Sequence, residues 1–301
     1  MQRVAVRTLP DGSVRKLQPF HVCIKGLEDA LLCKDDEDYD AMVKVICVSA
    51  WRHNVIVIIY TVLSNHCHIA VLAERHEAAR AYGNDVKKVF SMWYSNRYAE
   101  RGVLRRIDLK AIWLDSDWYV RNVLAYIPRN ALDNGCNVNE YRWTGYRAMF
   151  NREPQSCFRL VRYMTSREKE SIMHTREKMN NVPWRVNSQN ELEPASFCDS
   201  LYLEQAFSND QSFFMKTIGN VNPVEMHYNL EERPYVMFPD SELFKSVEEI
   251  SQRWFNKTVD SLSLEQKSRL IPYLFHTRKT TPRQLSRVLG IPPERISRLS
   301  V

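Results

Sequence analysis

The chain has 301 residues, 44% of them apolar, a formal net charge of +6 and seven cysteines. That length suits one large domain or, by the better prior, two ordinary ones, and the mildly basic balance is compatible with nucleic acid without requiring it. No run of eighteen apolar residues predicts a spanning helix, and residues 1–20, charged and containing Pro10 and Pro19, do not read as a signal peptide. A cytoplasmic protein with no membrane association is expected.

The cysteines (Cys23, Cys33, Cys47, Cys67, Cys136, Cys157 and Cys198) are odd in number, scattered and free of any CxxC pair. They predict reduced, mostly buried thiols rather than a disulfide framework or a cysteine zinc site.

In chain order, residues 19–27 read as a first strand ending near Gly26. Asp35-Asp36-Glu37-Asp38 is an acidic helix start, favourable at the positive end of the helix dipole. Tyr39, Met42, Val43, Ile46 and Ala50 give that helix an apolar stripe. Residues 55–63, β-branched and the longest apolar run, predict a strand buried on both faces. Ser64-Asn65 is a turn signal, and residues 66–73 form the return strand of a hairpin. Residues 76–100 predict a long helix, with a break near Gly83-Asn84. Residues 105–114 read as a fourth strand, and Asp115-Ser116-Asp117 caps the next helix. The order β-α-β-β-α-β plus a helix predicts an α+β fold: a ferredoxin-like antiparallel sheet with helices on one face.

Residues 151–195 read as a helix-containing connector and 196–301 as a helical C-terminal region. Within the latter, residues 262–301 carry a helix-turn-helix pattern. Thr281-Pro282 starts a short helix that ends at Gly290, and Pro292-Pro293 starts another. Leu285, Val288, Leu289, Ile291, Ile296 and Leu299 are its expected core. From residue 278 to 301 there are six Lys or Arg and one acid, Glu294. This makes Arg283, Arg287, Arg295 and Arg298 candidate phosphate contacts.

The chemistry centres on His66 and His68. Two apart on a strand, their side chains share a face and can grip one metal ion, while Cys67 points the other way. Two histidines on an exposed sheet face would give the same bare pattern. Tyr126 and Asn130 are four apart, hence on one helical face. Tyr94 and Tyr98 sit on an aromatic, basic helix and read as core packing or base-stacking platforms. Arg105 and Arg106 are candidate phosphate contacts. His21, His53, His76, His174, His227 and His276 read as structural or surface histidines.

Residues 60–72 (YTVLSNHCHIAVL) resemble the Asn-His-x-His signature of the REP-associated tyrosine transposases, a branch of the single-tyrosine HUH transposases. The resemblance extends in order over residues 19–147. Residues 21–26 (HVCIKG) are similar to the family's first strand, His-x-x-x-Arg-Gly, and residues 35–39 (DDEDY) to the start of its first helix. Residues 96–102 (NRYAERG), 117–130 (DWYVRNVLAYIPRN) and 141–146 (YRWTGY) resemble its later segments. Residues 281–291 (TPRQLSRVLGI) look like the helix-turn-helix that follows this domain in many members.

The resemblance implies an HUH nuclease domain over residues 15–150 that cuts single-stranded, hairpin-forming DNA. Tyr126 would be the nucleophile, forming a 5′-phosphotyrosine. His66, His68 and Asn130 would hold a divalent metal, Mg2+ or Mn2+. By ligand softness alone, two imidazoles suit manganese or zinc better than magnesium. Lys25 would meet DNA, the C-terminal motif would either engage duplex DNA or merely complete a small helical domain, and the protein would act as a monomer or homodimer.

The chain departs from the family at Lys25, where the family has Arg, at Ala131, where it has Pro, and at Thr144-Gly145, where it has paired serines. Pro128 falls between Tyr126 and Asn130, where a proline is expected to kink the helix. Two other readings remain: a DNA-binding regulator that has lost catalysis and acts through its helix-turn-helix, and a metal-free interaction module.

Overall fold

The computed structural model describes residues 3–26, 31–100, 108–133, 135–151, 158–223, 226, 240–278, 282–292 and 295–296. The chain divides into two units, Met1–Met226 and His227–Val301.

The first unit is built on an antiparallel sheet. A short strand β1 (Ala5–Thr8) turns back into the long β2 (Val14–Lys25). Helix α1 (Asp36–Arg52) follows, with the Asp35 carboxylate accepting from the amides of Glu37 and Asp38 at its N-terminus. This satisfies two of the orphan donors every helix start carries. Strands β3 (Ile56–Val62) and β4 (His66–Ala73) form the expected hairpin, closed by Leu63 N–H donating to the His66 carbonyl at 2.8 Å.

Helix α2 (His76–Tyr98) then leads, past residues outside the description, to β5 (Asp108–Trp113), and α3 (Asp117–Asp133) follows it. The strand order is β5-β2-β4-β3, with every neighbouring pair antiparallel. Consecutive strands thus flank a third. That is the arrangement two interleaved β-α-β crossovers produce.

Register assigns the faces. Phe20, Val22 and Ile24 of β2 and Cys67, Ile69, Val71 and Ala73 of β4 pack with Met42 and Ile46 of α1 and Tyr82, Val86 and Phe90 of α2. The alternate residues, His21 and Cys23 of β2 and His66, His68 and Ala70 of β4, face the other way. The expectation of helices on one face is corrected here. Helix α3 packs on β3 and β4, with α5 (Ser200–Ala206) and α6 (Gln211–Asn220) against it. The physical reason lies in β3 itself, where all residues but Ile56 are buried. A strand apolar on both sides needs two covering layers.

Helix α2 runs unbroken through Gly83. A Cβ there would lie 2.6 Å from Leu109 Cδ1 and 3.0 Å from Val22 Cγ1, so this glycine permits close approach to the sheet. Likewise α3 runs through Pro128 without a break.

Beyond α3, the Trp143 carbonyl accepts from Val62 N–H and Thr144 bridges to Thr61, while Asp199 N–H donates to the Val57 carbonyl at 2.8 Å. These segments line the outer flank of β3. The stretch read as a connector contains α4 (Ser166–Met173) and a two-strand ladder, β6 (Arg159–Leu160) with β7 (Arg185–Val186). Val161, Ile172, Met173, Val182, Trp184 and Val186 from this stretch join the core on the α1/α2 side.

The second unit is helical: α7 (Asp240–Phe255), α8 (Leu264–Arg278) and α9 (Pro282–Leu289). Leu285, Val288, Leu289, Ile291 and Ile296 form one core with Leu243, Val247, Leu270 and Leu274; Leu299 lies outside the described residues. Helix α9 ends at Gly290, whose φ of +65° is the left-handed cap conformation glycine adopts without penalty. Among the described residues no helix is long and apolar enough to cross a membrane.

Candidate active site

The β3–β4 hairpin and α3 together position the singled-out residues. His66 and His68 share the face of β4 that meets α3, and their rings make an edge-on contact at 4.9 Å between centroids. The His68 ring meets the Tyr126 ring edge-on at 5.2 Å. Three of the four predicted site residues are therefore in one continuous ring cluster. Asn130 lies one turn beyond Tyr126 and is buried. Its Nδ2 donates to the Tyr126 carbonyl at 2.7 Å and the Ile127 carbonyl at 3.3 Å. These bonds hold the amide against its own helix. They do not join Asn130 to either histidine.

The imidazoles are oriented from behind. His66 Nδ1 is 2.6 Å from Asn65 Oδ1, an acceptor, so this nitrogen carries the proton and donates. His68 Nδ1 is 3.1 Å from Nε2 of His21, on the neighbouring strand β2. Both site histidines thus use Nδ1 within the protein, and Nε2 is the nitrogen each turns toward the other side of its ring. His66 Nε2, His68 Nε2 and the Tyr126 hydroxyl are all shielded from solvent. Metal-binding histidines are commonly oriented in this way, one nitrogen held by the protein and the other offered to the ion. As donor types alone, imidazole nitrogens and an amide oxygen are ones that divalent cations accept.

Among the described residues, no three His, Cys, Asp or Glu side chains converge on a common metal position. A set made from His66, His68 and Asn130 contains only two residues of those kinds. His21, although its ring lies 5.1 Å from that of His68, points its Nε2 at His68 and not at a shared ion.

Depth grades across this face. Lys25, at the end of β2, is directly opposite His66 and exposed. Cys23 is opposite His68, with burial pushing its thiol up to about 12. Deepest is His21, fully buried, whose imidazole burial holds down at about 3, so it stays neutral. Thr61 of β3 is opposite His68 on the remaining side, its hydroxyl 2.9 Å from that of Thr144. Cys67, facing the α1/α2 core, has its thiol raised by the same desolvation.

The remaining candidates are dispersed. Tyr94 is buried against Phe90 and Tyr98, and the Tyr98 hydroxyl donates to Asp38 at 2.8 Å. Both serve packing. Arg287 and Arg295 are exposed in the second unit. Arg105, Arg106 and Arg298, and the side chain of Arg283, lie outside the described residues. Six cysteines are free thiols, four of them buried; Cys157 lies outside the description.

His21, expected only as a structural or surface histidine, opens the segment that resembles the family's His-x-x-x-Arg-Gly strand; its contact with His68 depends on a strand register that neither spacing nor that segment reveals. Comparisons with protein-family models, with curated proteins and with solved structures gave no match.

Proposed function

We propose that the first unit is a ferredoxin-like HUH nuclease domain that cuts and rejoins single-stranded, hairpin-forming DNA through Tyr126. The observation that carries the reading is the joint orientation of His66 and His68. Each is anchored through Nδ1 by a neighbouring side chain, and the Tyr126 ring lies against His68.

In the proposed step the Tyr126 hydroxyl oxygen attacks a DNA phosphorus. A phosphotyrosine ester forms to the 5′ side and the bond to the 3′ oxygen breaks. The phenol proton is lost and the departing 3′ oxygen gains one, so the exchange balances without an external energy source. Attack by another 3′-hydroxyl reverses it and joins strands. A bound Mg2+ or Mn2+, held by His66, His68 and Asn130, would polarise the scissile phosphate. Lys25, exposed beside His66, would meet the DNA backbone as it enters from that end of the sheet. The second unit, with a helix-turn-helix pattern and exposed Arg287 and Arg295, would engage duplex flanks.

One observation favours a second reading. Tyr126 is wholly buried, so a phosphate reaches its hydroxyl only if the covering layer yields. A DNA-binding regulator with weak or no catalysis accords with that burial.

The test is incubation with labelled single-stranded hairpins and Mg2+ or Mn2+, followed by denaturing electrophoresis. A covalent adduct is expected, and it should vanish in Tyr126→Phe and in His66→Ala/His68→Ala. An adduct that survives Tyr126→Phe overturns the nucleophile. Specific hairpin binding without any adduct supports the regulator.

A further inference from the structure

We propose that His21 is a positioning residue for the metal site: it accepts the Nδ1 proton of His68 on its own Nε2, and so keeps the proton of the neutral His68 ring off Nε2. The inference rests on the metal-binding reading above and deepens it.

The bond between His21 Nε2 and His68 Nδ1, 3.1 Å long and fully buried, contains one proton, which either ring can own. If His21 owns it, His68 must carry its remaining proton on Nε2 and cannot ligate. If His68 owns it, His68 is a donor through Nδ1 and a ligand through Nε2. Asn65 already enforces the second state on His66, because its carbonyl oxygen can only accept. A pair of ligands needs the same tautomer twice, and His21 is the group in contact with His68 Nδ1 that can supply it.

Two further observations fit this role. His21 sits on β2, diagonal to His68 in a register fixed by eight consecutive residue pairs from Gln18–Ala73 to Lys25–His66. The acceptor is therefore held by the sheet itself rather than by a loop. In addition, His21 Nδ1 is buried with no hydrogen-bond partner among the described residues. A buried polar atom left unsatisfied calls for a reason. A ring retained for what its other nitrogen does supplies one, since phenylalanine or leucine would fill the same space without that cost.

The test separates this role from the reading beneath it. In the metal-free full chain labelled with 15N-histidine, long-range 1H–15N spectra report which ring nitrogen of each histidine is protonated, with His68 assigned from a His68→Gln variant. His68 is expected as the Nδ1–H tautomer in the wild type. His21→Phe should lose that preference, and its Mn2+ affinity, followed by calorimetry, should fall about 10–100-fold. His21→Gln, whose side-chain oxygen can accept at a similar reach, should recover part of both. An Nε2–H tautomer at His68 in the wild type overturns the proposal, and this needs no variant to fold. So does a His21→Phe protein that folds with unchanged tautomer and affinity. Absence of Mn2+ binding to wild type together with an Nδ1–H His68 would instead refute the metal reading and leave the His21–His68 assignment standing.

Discussion

Replacing Gly83 with alanine sets two effects of opposite sign against each other. Alanine stabilises a helix interior by about 1 kcal/mol relative to glycine, and Gly83 has no left-handed φ to penalise the change. Against this, the new Cβ would lie 2.6 Å from Leu109 Cδ1 and 3.0 Å from Val22 Cγ1. Leu109 is half-buried on β5, and its methyl can swing aside. Val22 cannot: it is fully buried, and β-branching leaves it little χ1 freedom. Overpacking of this kind costs about 1–3 kcal/mol, so the net expectation is a destabilisation of about 1 kcal/mol. For a unit of this size that lowers the melting temperature by about 2–4 °C.

Differential scanning calorimetry of the full chain reads it directly. Leu109→Ala combined with Gly83→Ala should be less harmful than the sum of the single changes, because the two share one contact. A Gly83→Ala protein as stable as the wild type, or more so, would refute the claim that α2 approaches β2 as closely as a glycine permits. Since Val22 is next to His21, the same variant should also weaken Mn2+ binding.

Arg97 holds the N-terminus of α1, pairing with Asp35 through both terminal guanidinium nitrogens at 2.7 Å and also meeting Asp38, which is fully buried. Arg97→Gln should cost about 2–4 kcal/mol in urea unfolding by leaving that carboxylate short of its counter-charge; a loss under about 0.5 kcal/mol would place the pair among inert surface bridges. The same guanidinium lowers the Asp35 pKa, so the stabilisation is present above the usual carboxylate value and fades as pH falls through the lowered one. His174 gives a different pH signature, since burial first, and Lys44 second, hold its pKa down at about 4. The unfolded chain takes up its proton near 6.5, so stability should drop as pH falls from about 6.5 to 4. His174→Asn, which also suits the left-handed φ of 52° there, should flatten that slope in urea midpoints taken across the range; an unchanged slope would show that His174 does not carry it.

The sheet and its helices were legible because their signals are local. The acid run before α1, the β-branched stretch of β3 and the Ser64-Asn65 turn each act within a few residues, and each stands where the spacing predicts. Gly83 and Pro128 misled in the same local way. Both are helix breakers by propensity, yet one permits close packing and the other is carried within a helix clamped between two layers. Contacts set by distant residues stayed hidden. Nothing near α3 announces that α5 and α6 will cover its back, and nothing near His21 announces His68, 47 residues on. The four predicted site residues were nameable from spacing and resemblance. The nitrogens that orient them were not, because these depend on the pairing of β2 with β4.

The bonds along the outer flank of β3 have a consequence for how molecules of this protein meet. An unpaired strand edge is a template for strand addition by another chain. Here Val57 and Val62 already exchange main-chain hydrogen bonds with Asp199 and Trp143, and Thr144 bridges to Thr61. A second copy could extend the sheet at that side only after breaking these bonds. This apolar, β-branched stretch is thereby kept from strand addition by ordinary folding contacts.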